Sequence, residues 1–275
     1  MRIVPVLTEN VTPNATLVFY LAGTHRVDFF GLSESSQLEA VRQEVVRCLE
    51  ATNEAPSAGP LQASNFGVVM EAAHAGDRLQ QYLAGRIMEE RGVPGHNPAE
   101  AARWFRKAAQ QGHAESAYQL ALAYENGQGV LPSRAEWLRW LYKAAQLGDV
   151  RAQAKFGLHL LNSRPGDPQT AVESAEWFSR AAAQGSEDAL YQLSVLRLGN
   201  SGLNADYAKA LQDFRSLAEH HYTGAQYHLA WMLEHGRGTL PNHEEALMWA
   251  KQAAAQGYDG ARQLVHFIES RERSL

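Results

Sequence analysis

From Glu100 to Gln111 the chain reads EAARWFRKAAQQ, and Ala101, Trp104, Phe105, Ala108 and Ala109 fall at i, i+3, i+4, i+7 and i+8. That spacing lays one apolar stripe along a helix. Gly112 predicts the stop, because the left-handed position after a helix carries no side-chain penalty when it is Gly. The next segment, AESAYQLALAYENGQG, puts Ala117, Leu120, Ala121 and Tyr124 on a second stripe and stops at Asn126-Gly127. The pattern predicts two helices joined by a tight elbow.

The pair recurs. Ala-Ala-x-x-Gly occurs as Ala72-Ala73-x-x-Gly76 and again ending at Gly112, Gly148, Gly185 and Gly257, with spacings of 36, 36, 37 and 72 residues. The interval of 72 hides a copy at His221, where Leu217-Ala218-Glu219-His220 keeps the frame and loses the Gly. Trp104, Trp140, Trp177 and Trp249 stand eight residues before the stop; Tyr82, Tyr118, Tyr191 and Tyr227 stand six after it. Pro132, Pro168 and Pro241 sit twenty after it, where each predicts the start of a helix. Small residues at fixed phase let helix axes approach, and the Trp phase reads as structural filling beside them. No such pair hides its apolar side alone, whereas stacked copies do.

The string WFRKAAQQGHAESAYQLALAYENGQGV, Trp104 to Val130, closely resembles a Sel-one-like repeat, a relative of the tetratricopeptide repeat; TGAQYHLAWMLEHGRGT and EEALMWAKQAAAQG resemble it too. The resemblance covers roughly residues 67 to 275. It implies an all-α fold for most of the chain, a right-handed α-α superhelix of about five to six 36-residue helix pairs over residues 61–275. It further implies a concave face, lined by the first helix of each pair, that holds protein partners. Bacterial members of that family often serve as adaptors, regulators or neutralising partners of secreted toxins. The departures are His221 for a family Gly, and the loops 162–167 and 199–204, which lack Gly-x-Gly-Val; Gly92-Val93-Pro94 keeps it in part.

Residues 1–60 differ. Arg2 to Leu7, Thr16 to Ala22 and Arg26 to Phe30 are β-branched or aromatic and predict short strands. Ser33 to Ala51 places Leu38, Val41, Val45 and Leu49 in helical phase, and Asn53 to Gly59 reads as a linker. This small N-terminal α+β segment is either a cap on the first repeat or a separate module with its own partner.

Composition narrows the function classes. Twenty-five basic against 30 acidic residues give a net charge of -5, which argues against nucleic acid or an anionic membrane as partner. No stretch approaches the length of a membrane span. The first residues lack a secretory leader, so a cytoplasmic location is expected. One cysteine, Cys48, excludes an internal disulfide and reads as a small apolar residue. Phosphate-loop, His-Glu-x-x-His and Gly-x-Ser-x-Gly signatures are missing from the chain. His220, His221, His228, His235 and His243 crowd one repeat without metal-ligand spacing and read as surface or loop residues. The expectation is a protein that is not an enzyme, with no cofactor, metal or small-molecule substrate.

If tetratricopeptide packing carries over, groove-facing positions lie three, six, ten, thirteen and fourteen residues after each stop. The candidate contact residues on these rows are Tyr82, Arg86, Glu89, Tyr118, Leu122, Glu125, Asn126, Arg151, Tyr191, Tyr227, Trp231, Glu234 and His235. Tyr, Trp and Arg dominate binding hot spots, but the Tyr row equally suits wedging between neighbouring units. Trp231 stands where other copies have Arg86, Leu122, Leu158, Val195 and Phe267, so the repeat does not dictate its size. The expected function is a scaffold or adaptor holding a protein or peptide on the concave face. The alternatives are an immunity-type or chaperone-like binder of a secreted effector that recognises partly through residues 1–60, and an enzyme with its chemistry there.

Overall fold

The computed structural model describes residues 4–6, 18–21, 25–28, 63–90, 95–199 and 204–272. Contacts divide the chain into two compact units, Met1–Pro60 and Leu61–Leu275. The first contains an antiparallel sheet of β1 (Val4–Val6), β2 (Val18–Leu21) and β3 (His25–Asp28) in that order. Val4 pairs with Tyr20 and Phe19 with Val27. β1 and β2 lie inside the segments Arg2 to Leu7 and Thr16 to Ala22, and β3 starts one residue before the segment Arg26 to Phe30. The helix expected over Ser33 to Ala51, with Cys48, and the linker Asn53 to Gly59 lie outside the described residues.

The second unit is a run of twelve helices among the described residues: α1 (Ala63–His74), α2 (Arg78–Glu89), α3 (Pro98–Gln110), α4 (Ala114–Asn126), α5 (Arg134–Gln146), α6 (Val150–Ser163), α7 (Pro168–Ala183), α8 (Glu187–Leu196), α9 (Tyr207–Glu219), α10 (Thr223–Glu234), α11 (His243–Ala255) and α12 (Asp259–Glu272). Each packs on the next in sequence, as a solenoid requires. The even-numbered helices follow the elbows and are the first helices of their pairs.

The elbow has one geometry throughout. At Gly112 the N–H donates to Ala109 O and the next N–H to Ala108 O, and Gly148, Gly185, His221 and Gly257 repeat this pair of bonds. The two alanines thus present the carbonyls of a Schellman stop. The stop residue is left-handed in every copy, including His221 at φ 63°. The following residue caps the next helix: Asp77, His113, Asp149 and Ser186 each accept a backbone N–H three residues on.

Between elbows, a large residue seven before the stop fills the space left by a small one nine after the previous stop. Phe105 and Phe178 are about 1% exposed, and a Cβ on Gly85 or Gly157 would lie 2.5 or 3.0 Å from their rings. The Trp row is more mixed than its periodicity predicts. Trp104 and Trp140 are buried, while Trp177 and Trp249 are half-buried. One helical step places the neighbouring Phe105, Leu141, Phe178, Phe214 and Ala250 on the inward line instead. The outer indole faces carry cations, such as Lys107 over Trp104 and Arg180 over Trp177.

The loops between pairs also follow sequence. Gly129 and Gly238 are left-handed, and a Cβ on either would overlap the backbone at the start of α3 or α9, at Pro98 O and Tyr207 O respectively. Where Gly-x-Gly is lost at 162–167, α6 runs on to Ser163 and a single left-handed Gly166 leads into the Asp167 cap. Pro168 stands in the first turn of α7; Pro132 and Pro241 lie one residue before the caps Ser133 and Asn242, whose side chains accept the backbone N–H of Glu136 and Glu245.

Glutamine pairs, one member buried in each, join consecutive elbows at every second step. The Gln153 amide donates to Ala145 O at 3.2 Å, and the Gln184 amide donates to Gln153 Oε1 at 2.9 Å. Gln81 with Gln111, and Gln226 with Gln256, repeat the arrangement. In the two intervening elbow pairs the same positions hold Ala117 with Leu147 and Leu190 with His220. The second glutamine of each pair satisfies the oxygen of the buried amide, whose nitrogen is already spent on an elbow carbonyl.

Two predictions follow from this accounting. Gln184→Leu, which strands the buried Gln153 Oε1, should cost about 1–3 kcal/mol in urea unfolding, and adding Gln153→Ala, which writes in the Ala117/Leu147 pair, should restore most of it; additive losses would refute the pairing. His221→Gly should raise stability by roughly 0.5–1 kcal/mol, the left-handed penalty less the added chain entropy of Gly, read as an increase in thermal midpoint.

Candidate functional site

The even-numbered helices lie beside one another, and side chains of the predicted rows meet across them. On α2, the Arg86 guanidinium donates to the Tyr82 hydroxyl at 3.1 Å and lies 3.7 Å from Glu89. It also lies 3.9 Å from Glu115 on α4, which is 3.3 Å from Arg151 on α6. Glu115 therefore stands between two arginines from its two neighbours. Arg151 covers the Tyr118 ring at 4.5 Å and bonds Asp149 at 2.9 Å. Lys155 reaches Glu125 at 2.6 Å. Leu122 is half-buried and Asn126 exposed on α4. Glu89 is held above the usual carboxylate range by partial burial, which Arg86 opposes. This half of the face is charged, balanced and internally paired.

The other half is aromatic. Tyr191 on α8 stacks against Tyr222 at 4.9 Å, and Tyr227 on α10 against Tyr258 at 4.9 Å. Gly224 permits the approach of α8 and α10: a Cβ there would lie 2.9 Å from the Tyr191 hydroxyl. Burial pushes the Tyr191 phenol up to about 12 and raises Tyr222 and Tyr227 as well, so these hydroxyls stay protonated donors at neutral pH. Tyr222 donates to Asp188 at 2.9 Å. Trp231 stacks on His235 at 4.6 Å, and His235 lies parallel to Phe267 of α12 at 6.4 Å.

Two expectations are corrected. Glu234 is not a surface contact: its carboxylate is 1% exposed and is held by Arg271 at 2.9 Å and His243 at 2.6 Å. A buried charge needs such partners, and the C-terminal helix supplies one of them, which the repeat phase alone does not reveal. His228 is not a surface residue either. Its ring stacks on Phe214 at 5.0 Å, with Tyr191 and Tyr227 on other sides.

Sequence reasoning also missed Tyr222 and Tyr258. Their signal was available: they follow the stop directly, where other copies carry the capping residues Asp77, His113, Asp149 and Ser186. Among the described residues there is no group of three or more metal-ligating side chains, and no helix is long and apolar enough to cross a membrane. Paired charges, phenol donors and aromatic faces equip this surface to bind.

Comparison with known proteins bears on the whole unit. The family model described as Sel1 repeat matches residues 80–113, 114–149, 150–186, 187–220 and 223–258, more than half of the chain. Each match is one even-numbered helix and the helix after it. The chain is 26% identical over 240 residues to chitin synthase regulatory factor 3 of Schizosaccharomyces pombe, covering 78% of this chain and only 26% of that protein's length. It is similar to the crystal structure of a protective antigen of uropathogenic Escherichia coli displaying an SLR fold, at 28% identity and TM-score 0.60, over 75% of this chain and 44% of that one. It is likewise similar to a Sel1 repeat protein from Oxalobacter formigenes, at 26% identity and TM-score 0.61, over 74% of this chain and 88% of the other.

Burial holds His228 down to about 4 against an ordinary 6.5. The folded state therefore binds fewer protons than the unfolded chain between those values, so stability is intact above pH 6.5 and is lost as pH falls toward 4. The loss should approach about 3 kcal/mol. Denaturant unfolding of His228→Leu across this range should show a shallower fall than the parent protein; equal slopes would refute it.

Proposed function

This chain belongs to the Sel1 repeat family, and from that premise we propose that it is a non-catalytic scaffold that holds a protein or peptide partner across the even-numbered helices. Sel1 repeat proteins are in general protein-interaction scaffolds. The observation that carries the reading is the continuity of the face: Arg86, Glu115 and Arg151 come from three successive repeats, with Glu115 3.9 Å from the first arginine and 3.3 Å from the second. A surface assembled from residues about 36 apart suits an extended or broad partner better than a small substrate. Trp231, half-buried and stacked by His235, is the candidate anchor on the aromatic half. The regulatory role in the name of the fission-yeast relative fits a scaffold, although that protein is about four times the length spanned here.

The test is photo-cross-linking in extract of the source organism. A cross-linker at Tyr118 or Trp231 should capture one defined protein, and one at the outward positions Arg103 or Met248 should not. Trp231→Ala should leave the unfolding midpoint nearly unchanged and weaken the captured complex. Cross-linking confined to the outward positions would overturn the reading.

A further inference from the structure

The row six residues after the stop is covered differently in the two halves of the face. Tyr118 carries a guanidinium from its own chain: Arg151, three residues after the next stop, lies over its ring at 4.5 Å and is held by Glu115 and Asp149. Tyr82 likewise has Arg86 at 6.0 Å. One repeat pair further on, the corresponding positions are Tyr191 for Tyr118 and Asp188 for Glu115, while Gly224 stands where Arg151 would be. The acid is kept and the cation is deleted, while the Tyr191 ring packs against Gly224, where a Cβ would lie 2.9 Å from its hydroxyl, and is backed by Tyr222. Among the described residues, no Lys or Arg lies over Tyr191, Tyr222, Tyr227 or Tyr258, and none pairs with Glu187 or Asp188. Asp188 receives the Tyr222 hydroxyl, and Glu187 has only His220, at 2.8 Å.

A second observation concerns cost. Tyr222 occupies the capping position of α10 and makes no side-chain cap bond, where Asp, His or Ser does so at α2, α4, α6 and α8. Giving up a cap lowers helix stability. The phenol placed there stacks on Tyr191 and bonds Asp188, so the local rule is broken in favour of an aromatic and acidic surface.

We infer that Tyr222, Asp188 and Glu187, with Tyr191 packed behind Tyr222, form a subsite for an arginine side chain of the partner, which supplies from outside the cation that this half of the face lacks. This deepens the proposed scaffold role and rests on it. Charge complementarity sets the occupant: protonated phenols offer π faces and two carboxylates offer acceptors, a combination that favours a planar guanidinium over an ammonium and repels an acidic segment.

The test uses the full chain and fluorescein-labelled peptides of three Gly-Ser-Arg repeats, with Lys, Gln and Glu versions of equal length, read by anisotropy. The arginine peptide should bind about ten-fold tighter than the Gln peptide, the lysine peptide less tightly than arginine, and the Glu peptide weakest. Asp188→Asn and Tyr222→Ser should each weaken arginine-peptide binding about five-fold. Tyr222→Ser restores a capping hydroxyl, so its unfolding midpoint should be equal or higher, which separates lost binding from lost folding. Glu173→Gln, exposed on the odd-numbered helix α7 outside this face, should leave binding unchanged. Equal affinity for the arginine and Gln peptides, or full arginine binding by both variants, would overturn the subsite. Cross-linking from Tyr118 reports on the wider scaffold separately, so the subsite can fail while the scaffold stands.

Discussion

Every helix pair in this protein depends on a two-residue elbow. One helix must end with a left-handed residue whose N–H and that of its successor satisfy the last carbonyls, and the successor must open the next helix. Six such elbows set the angle between consecutive helices, and the alanines that offer the carbonyls are also small enough to let the axes close. His221 shows how strict the constraint is: with the Gly lost, a residue that carries a side chain still adopts the left-handed backbone, at φ 63°, and makes the same two elbow bonds.

With the elbows fixed, the even-numbered helices are brought side by side, and what they present divides in two. Repeats one to three carry arginines and glutamates that satisfy one another across helix boundaries. Repeats four and five carry tyrosines, a tryptophan and carboxylates with few cations. The same scaffold geometry thus offers a self-paired charged surface and, next to it, an aromatic one. Exposed ion pairs contribute little to stability; those of the first half align neighbouring helices and set local polarity more than they hold the fold.

The interior shows a parallel division between rule and exception. Phe105, Phe178 and Phe214 occupy one buried line, and Gly85 and Gly157 yield room for the first two. The buried glutamines do the polar equivalent. Each donates to an elbow carbonyl and accepts from the next elbow, and where one partner is apolar its counterpart is apolar or outward-facing. The Glu234–Arg271–His243 cluster closes the last repeat in the same manner, with charge in place of amide.

The period, the stops, the stripes and hence the solenoid were legible in the sequence, because elbow chemistry and helical periodicity are local and repeat at fixed phase. The glutamine pairs and the tyrosines in capping slots were also written there, as deviations from the frame that gain meaning once the frame is aligned. Which Trp is buried, that His228 sits among Phe214, Tyr191 and Tyr227, and that Glu234 is enclosed by α12 were decided only in three dimensions. Burial at those positions depends on contacts between residues about 36 apart and on one helical step of rotation, and a one-dimensional pattern fixes neither.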